Sequence, residues 1–204
     1  MKDLQDIPLF PLNVALLPGE LLPLHIFEPR YCRLLQYCHS SDGKGGSSRP
    51  FGISLVQDLR LSAIGCSAEV VSVLHQFNDG RSLILAVGER RYKLVELLPE
   101  AEFPQAKVEF VDEAKEEPNI ALQKQTLDLY AELVRSDPAF PVVPPSVSSL
   151  LSFKIGACLG LDHAERIEML LLMSENERLK KVLSFILARL ALPDAGKDST
   201  QVLQ

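Results

Sequence analysis

Apolar positions recur along the chain with two different periods, and the change of period divides it. From Ile7 to Val111 they come in short runs or in strict alternation, the pattern of strands, whereas from Asn119 to Leu192 they recur every three or four residues, the pattern of helices. Ile7-Pro8-Leu9-Phe10-Pro11-Leu12 is extended, but its prolines cannot donate to a ladder, which predicts an edge strand or a covering arm. Pro18-Gly19 marks a turn, Leu21 to Phe27 resumes extended structure, and Glu28-Pro29-Arg30-Tyr31 opens a short helix through about Tyr37. Phe51 to Val56 is a strand. Cys66 to Phe77 alternates, with Cys66, Ala68, Val70, Ser72 and Leu74 on one face. Asp79-Gly80 is a hairpin signal leading into Ser82–Val87. Gly88 interrupts the next stretch, which predicts a bulge or a close backbone approach before strands at Tyr92–Leu97 and Gln105–Val111. Such an antiparallel run can cover its edges by curling into a barrel.

In the second part Asn119 is placed to cap a helix ending near Ser136. A proline-rich connector, Asp137–Pro145, precedes a helix expected from Ser146 to Gly160. Asp162 with Glu165, and Ser174 with Glu177, have the spacing of capping boxes for two further helices. The expected fold class is therefore α+β: a β-rich, curled antiparallel lobe over residues 1–117, a helical bundle over 118–193, and a polar tail over 194–204 expected to be disordered.

Composition adds exclusions. With 47 % apolar and 24 % charged residues in 204, the chain is of ordinary globular make-up, long enough to bury a core without a metal or disulfide staple. Its net charge of −6 resides between Glu96 and Glu117, where eight acidic residues face only Lys107 and Lys115. That run reads as a solvated linker. A nucleic-acid partner wants a dense basic face, and none is evident. Cys32, Cys38, Cys66 and Cys158 form no CxxC pair, so the expectation is reduced thiols in a cytoplasmic protein, with no metal site. Neither a signal peptide nor a membrane helix is expected, and no membrane partner.

Gly43-Lys44-Gly45-Gly46, in the Ser- and Gly-rich Ser40–Pro50 loop, lacks the GxxxxGK[ST] frame of a phosphate loop. No GxSxG or HExxH is present, and His25 and His75 read as core or edge histidines satisfied by hydrogen bonds. No catalytic residue and no cofactor is called for, and the chain is expected not to be an enzyme.

The opening Ile7-Pro8-Leu9-Phe10-Pro11-Leu12, Leu17-Pro18-Gly19 and Leu22-Pro23-Leu24-His25-Ile26-Phe27-Glu28-Pro29-Arg30-Tyr31 strongly resembles that of the N-terminal, substrate-binding domain of the Lon protease family. Phe51-Gly52-Ile53, Ile64-Gly65-Cys66, Asp79-Gly80-Arg81, Gly88-Glu89-Arg90-Arg91-Tyr92-Lys93-Leu94 and Glu177-Arg178-Leu179 extend the likeness over roughly residues 7–192. The resemblance implies a PUA-like pseudo-barrel followed by helices. It also implies a stand-alone, non-enzymatic module, since no Walker motif is present and 204 residues leave no space for an ATPase or protease domain. Its implied ligand is unfolded or damaged polypeptide, recognised through exposed apolar segments, with an adaptor role beside a protease or chaperone encoded elsewhere. A PUA-like domain also admits a second reading, RNA binding, for which residues 28–95 offer nine basic against six acidic residues.

Within the resemblance, Phe10, Leu12, Leu24, Ile26 and Phe27 read as core. Gly19, Asp79, Gly80 and Gly88 set backbone geometry, and Arg91 and Tyr92 complete the structural motif. Glu28, Arg30 and Arg91 read as structural ion pairs in preference to a groove rim. If the opening strand keeps unpaired backbone, Pro8, Phe10, Pro11, Glu28, Pro29, Arg30 and Tyr31 are the candidate peptide-binding residues, the alternative being an arm that covers the barrel end.

Overall fold

The computed structural model describes residues 3–39, 49–99, 102–142 and 150–191. Seven strands come first: β1 (Leu4–Leu12), β2 (Leu21–Ile26), β3 (Phe51–Gln57), β4 (Arg60–Leu61), β5 (Ile64–Gln76), β6 (Ser82–Leu97) and β7 (Gln105–Phe110). Helix α1 (Pro29–His39) lies between β2 and β3, and α2 (Ile120–Ser136), α3 (Leu151–Cys158), α4 (His163–Leu171) and α5 (Glu175–Leu190) follow the strands. The strands run β1-β7-β6-β5-β3, and β3 pairs back onto β1, so the sheet closes into a barrel. β2 adds to the first half of β6, and β4 to the end of β3. The chain is thus α+β, a curled sheet followed by helices.

Several expectations are corrected. The ring is not wholly antiparallel, because it closes through the parallel β1–β3 pair. Nor is β1 an edge or an arm. Residues 4–8 ladder to β7 and residues 9–12 to β3. Because each half pairs with one neighbour, a proline nitrogen can face the unladdered side without losing a bond. The separate strands expected on either side of Gly88 are one 16-residue strand. Of the two expectations at Gly88, close backbone approach holds: its N–H donates to Glu20 O (2.9 Å), its carbonyl accepts from Gly19 N (2.8 Å), and a Cβ here would collide with the Leu17 carbonyl oxygen. Gly19 itself turns at φ +79°.

Three apolar clusters fill the structure. Phe10, Ile26, Tyr31, Leu34, Phe51 and Ile84 pack between barrel and α1. Ile7, Leu9, Tyr92, Val108 and Phe110 form a second group, with Tyr92 Oη bonded to Ser54 Oγ at 2.8 Å. The third joins barrel and helices through Leu17, Leu55 and Ile64 against Phe153, Met169, Leu170, Val182 and Ile186. The helix starts agree with their sequence signals: Asn119 Oδ1 accepts from Leu122 N (2.9 Å), and both capping boxes form. The helix read from Ser146 begins, among described residues, at Leu151, and Gly160 ends it at φ +62°. Ser146, most of the Ser40–Pro50 loop and the 194–204 tail lie outside the described residues.

The acidic run is not merely a solvated linker. Asp112 is exposed, but Glu113 reaches inward and binds two buried arginines, Arg91 Nη2 at 2.6 Å and Arg178 Nη2 at 2.7 Å. Arg91 also donates to the carbonyls of Leu170 and Leu172, and Arg178 to Leu172 O, Ser152 Oγ and Glu175 Oε2. A second clamp joins Arg166 to Glu20 at 2.8 and 3.0 Å.

Two stability predictions follow from these contacts. Gly88→Val is expected to cost on the order of 1–3 kcal/mol, because the Leu17 carbonyl must move; an unchanged urea midpoint would refute it. Glu113→Gln leaves Arg91 without its carboxylate. Since Glu113 is partly exposed, the loss is expected at roughly 1–3 kcal/mol rather than the full cost of a buried pair. Asp112→Asn next to it should shift stability by no more than about 0.5 kcal/mol, and equal midpoints for the two variants would contradict the assignment.

Candidate functional site

The β5–β6 hairpin continues past the barrel, and β2 flanks β6 on its other side. Cross-strand register sorts this three-stranded sheet into two faces. Leu24–Ile84–Val73 and Leu22–Ala86–Val70 are rows of one face, which packs inward through Leu22, Leu24, Val70, Ile84 and Ala86, while Val73, nearer the hairpin tip, is exposed. His25–Leu83–His75, Pro23–Leu85–Ser72 and Leu21–Val87–Glu69 are rows of the other. That outer face mixes apolar residues with His25, His75, Ser72 and Glu69, and no described residue covers its exposed side chains: Leu21 is 56 % exposed, and Phe27, just beyond β2, 59 %. Register shifts at Val71 and Leu74 turn further apolar side chains outward near the tip.

Four rings gather at the tip end of this face. His25 lies 5.5 Å from Phe27 and 6.0 Å from Phe77, and His75 meets Phe77 edge-on at 4.5 Å. The Arg81 guanidinium stands 5.0 Å from the Phe77 centroid and is paired with Asp79 at 2.8 Å. The Asp79–Gly80 turn forms as its sequence requires, with Gly80 at φ +90°. The Arg81 backbone N–H holds the Asp79 carboxyl below its usual value.

The sequence-derived peptide-binding set is split by burial. Pro8, Phe10 and Tyr31 are interior, with the Phe10 and Tyr31 rings 4.2 Å apart, so they present no surface; Pro11 is half-buried. Glu28, Pro29 and Arg30 are accessible beside Phe27, and Glu28 pairs with Arg30 at 2.9 Å. Gly19, Gly88, Arg91 and Tyr92 hold the barrel and its junction with the helices, and Asp79 and Gly80 build the hairpin turn. Phe27, expected in the core, is exposed, and so are His25 and His75, whose contacts are aromatic rings. Their signal was present in the run Val70-Val71-Ser72-Val73-Leu74, which is apolar on both alternations. A strand buried on one face has no use for that pattern.

Other surfaces offer less. A cleft of about 590 Å³ lies between the β3–β4 hairpin and α4, lined by Leu55, Asp58, Arg60, His163 and Ile167 among others. Among the described residues no group of three His, Cys, Asp or Glu could hold a metal. Burial pushes the Cys38 thiol up to about 12 and the Cys66 thiol higher still, so neither is a thiolate nucleophile. Arg30, Arg81, Arg90 and Arg91, four of the basic residues that carried the RNA reading, each pair with a carboxylate. No helix among the described residues is long and apolar enough to cross a membrane.

Barrel and helices define an α+β domain in which a closed sheet packs against a helical layer. A model of the ATP-dependent protease La (LON) substrate-binding domain matches residues 6–188, and the chain belongs to that family. It is similar in structure to a Lon N-terminal domain protein from Xanthomonas campestris, at 21 % identity and a TM-score of 0.69, over 88 % of this chain and 98 % of that one. The N-terminal domain of a Mycobacterium avium complex Lon protease superposes with a TM-score of 0.66 at 18 % identity, over 89 % and 98 % of the two chains. At these identities the two structures speak for the fold.

Exposure separates the candidate surface from the core by stability. Phe27→Ala is expected to change unfolding free energy by no more than about 0.5 kcal/mol. Phe10→Ala, at a buried ring stack, should cost about 3–5 kcal/mol. Urea denaturation of both variants checks this, and a large loss at Phe27 would show that the face is structural.

Proposed function

We propose that this domain captures exposed apolar segments of unfolded or damaged polypeptide on the outer face of the β2–β6–β5 sheet. The observation that carries the reading is the gathering of exposed Leu21, Phe27, Val71 and Leu74 around four aromatic and imidazole rings on one sheet, whereas exposed Leu59, Ile120, Leu171 and Leu187 lie on separate turns and helices. Family membership supports a protein substrate. Apolar contact supplies roughly 25 cal/mol per Å² removed from water. An extended backbone gains more along β2, which pairs with β6 and, among the described residues, with no other strand. Glu28, Pro29 and Arg30 form a polar rim. A native protein has hidden its apolar side chains and paired its strands, so it offers neither contribution. An adaptor role in proteolysis, handing such segments to a protease or chaperone, belongs to the same proposal. The paired state of Arg30, Arg81, Arg90 and Arg91 favours this reading over RNA.

A reduced, unfolded protein is expected to bind weakly and to stay bound as salt rises from about 0.1 to about 1 M, since apolar contact is not screened and phosphate neutralisation is. The double variant Phe27→Ser/Leu83→Ser should weaken binding by roughly tenfold or more. Equal binding of the native form, loss of binding at moderate salt, or an unaffected double variant would overturn the proposal.

A further inference from the structure

The outer face holds two imidazoles at its tip end. His25 and His75 sit on either side of Leu83 in one cross-strand row, on strands that flank β6 from opposite edges. Both rings contact Phe77, at 6.0 and 4.5 Å. A ligand lying across Leu83 must therefore cover both. Imidazole is the side chain that changes charge between about pH 5 and 8. As a neutral ring it is an aromatic surface that tolerates cover, whereas as a cation it must lose water when an apolar segment lies on it, and that desolvation is unfavourable without a partner.

The carboxylates nearest the rings already have cationic partners. Glu28 and Arg30, on the exit from β2, bond to each other, and Asp79 and Arg81, in the hairpin turn, do the same. On β5 the nearest outward carboxylate is Glu69, two rows from the histidine row, and Glu89 lies beyond it on β6. Two rows span about 13 Å, more than the screening length of about 10 Å at 0.1 M salt.

We infer that His25 and His75 set the ligand class of this face: neutral, they admit an uncharged apolar or aromatic extended segment, and protonated, they exclude it. The inference rests on the peptide-capture reading above and adds its selector.

The test uses the whole chain and an acetyl- and amide-capped peptide of Leu, Phe, Val, Ser and Gly, which has no ionisable group, so any pH dependence belongs to the protein. Binding is measured by calorimetry at about pH 8 and about pH 5, the ends of the range over which imidazole side chains change charge. The wild type is expected to bind roughly tenfold or more weakly at the lower pH. His25→Gln/His75→Gln, with both positions exposed and its fold checked by circular dichroism, should bind equally at the two pH values, within about twofold, while Glu69→Gln keeps the wild-type drop. Wild-type binding that does not change with pH, or a double variant that keeps the full drop, would overturn the inference and leave peptide capture standing. No binding of the peptide at either pH would overturn both.

Discussion

Two guanidinium groups and one carboxylate, Arg91, Arg178 and Glu113, hold the barrel to the helices, and the orientation of the molecule depends on them. Removing such charges from water costs several kcal/mol per ion, so the cluster is a poor source of net stability. Its geometry has a different use. Leu170 and Leu172 lie at the end of α4, where carbonyls lack partners in the helix and the dipole is negative. Arg91 donates to both carbonyls, and Arg178 to the second. A strand residue and a residue of α5 thus terminate α4 together, and the directional bonds fix one arrangement of strand and helices where apolar packing alone would accept several. Arg178 also lies over the Phe153 ring at 4.3 Å, which ties α3 to the same point.

The consequence runs along β6. Its Arg91 end is held by the junction, and its middle is held at Gly88, where the 17–20 loop is itself clamped by Arg166 to Glu20. Its first residues lie beyond these restraints and pair only with β2 and β5. One strand is therefore tied to the helices around Arg91 and Tyr92 and, over its first residues, buries one side chain of each pair and displays the other.

The parts of this arrangement that were legible in the sequence are those set locally. The Asp79–Gly80 hairpin, the Asn119 cap, both capping boxes and the need for a glycine at position 88 depend on residues close in sequence or on one backbone contact. What could not be read depends on distant partners. The parallel closure of β1 onto β3 has no local signal. Arg178 occupies a position on α5 that reads as surface until Glu113, 65 residues earlier, is known to face it. Asp58 and Leu59 form a left-handed turn, at φ +49° and +62°, with neither glycine nor asparagine to announce it. Three of the seven candidate peptide-binding residues, Pro8, Phe10 and Tyr31, are buried for a related reason. The family-like motif around Pro8 to Tyr31 is dense in apolar residues because most of it is core, and density does not distinguish burial from display. Only the register of three strands shows that Phe27 and His25 look outward.

An exposed apolar sheet invites pairing with other copies of itself, and this one carries the features that limit it. Pro23 lacks the N–H that an added strand would need in the middle of β2. On β5 the shifts at Val71 and Leu74 break the regular ladder over the outer half of the hairpin, so a second β5 would find no long flat edge. These features blunt the edges and leave the face open. Under the capture proposal, a ligand gains most from side chains laid on Leu21, Phe27, Leu83 and the ring cluster, and the edge of β2 adds only the pairing that Pro23 leaves available. Recognition of the proposed kind reads apolar character with little regard to order of residues, and its strength is bounded by a modest area of contact.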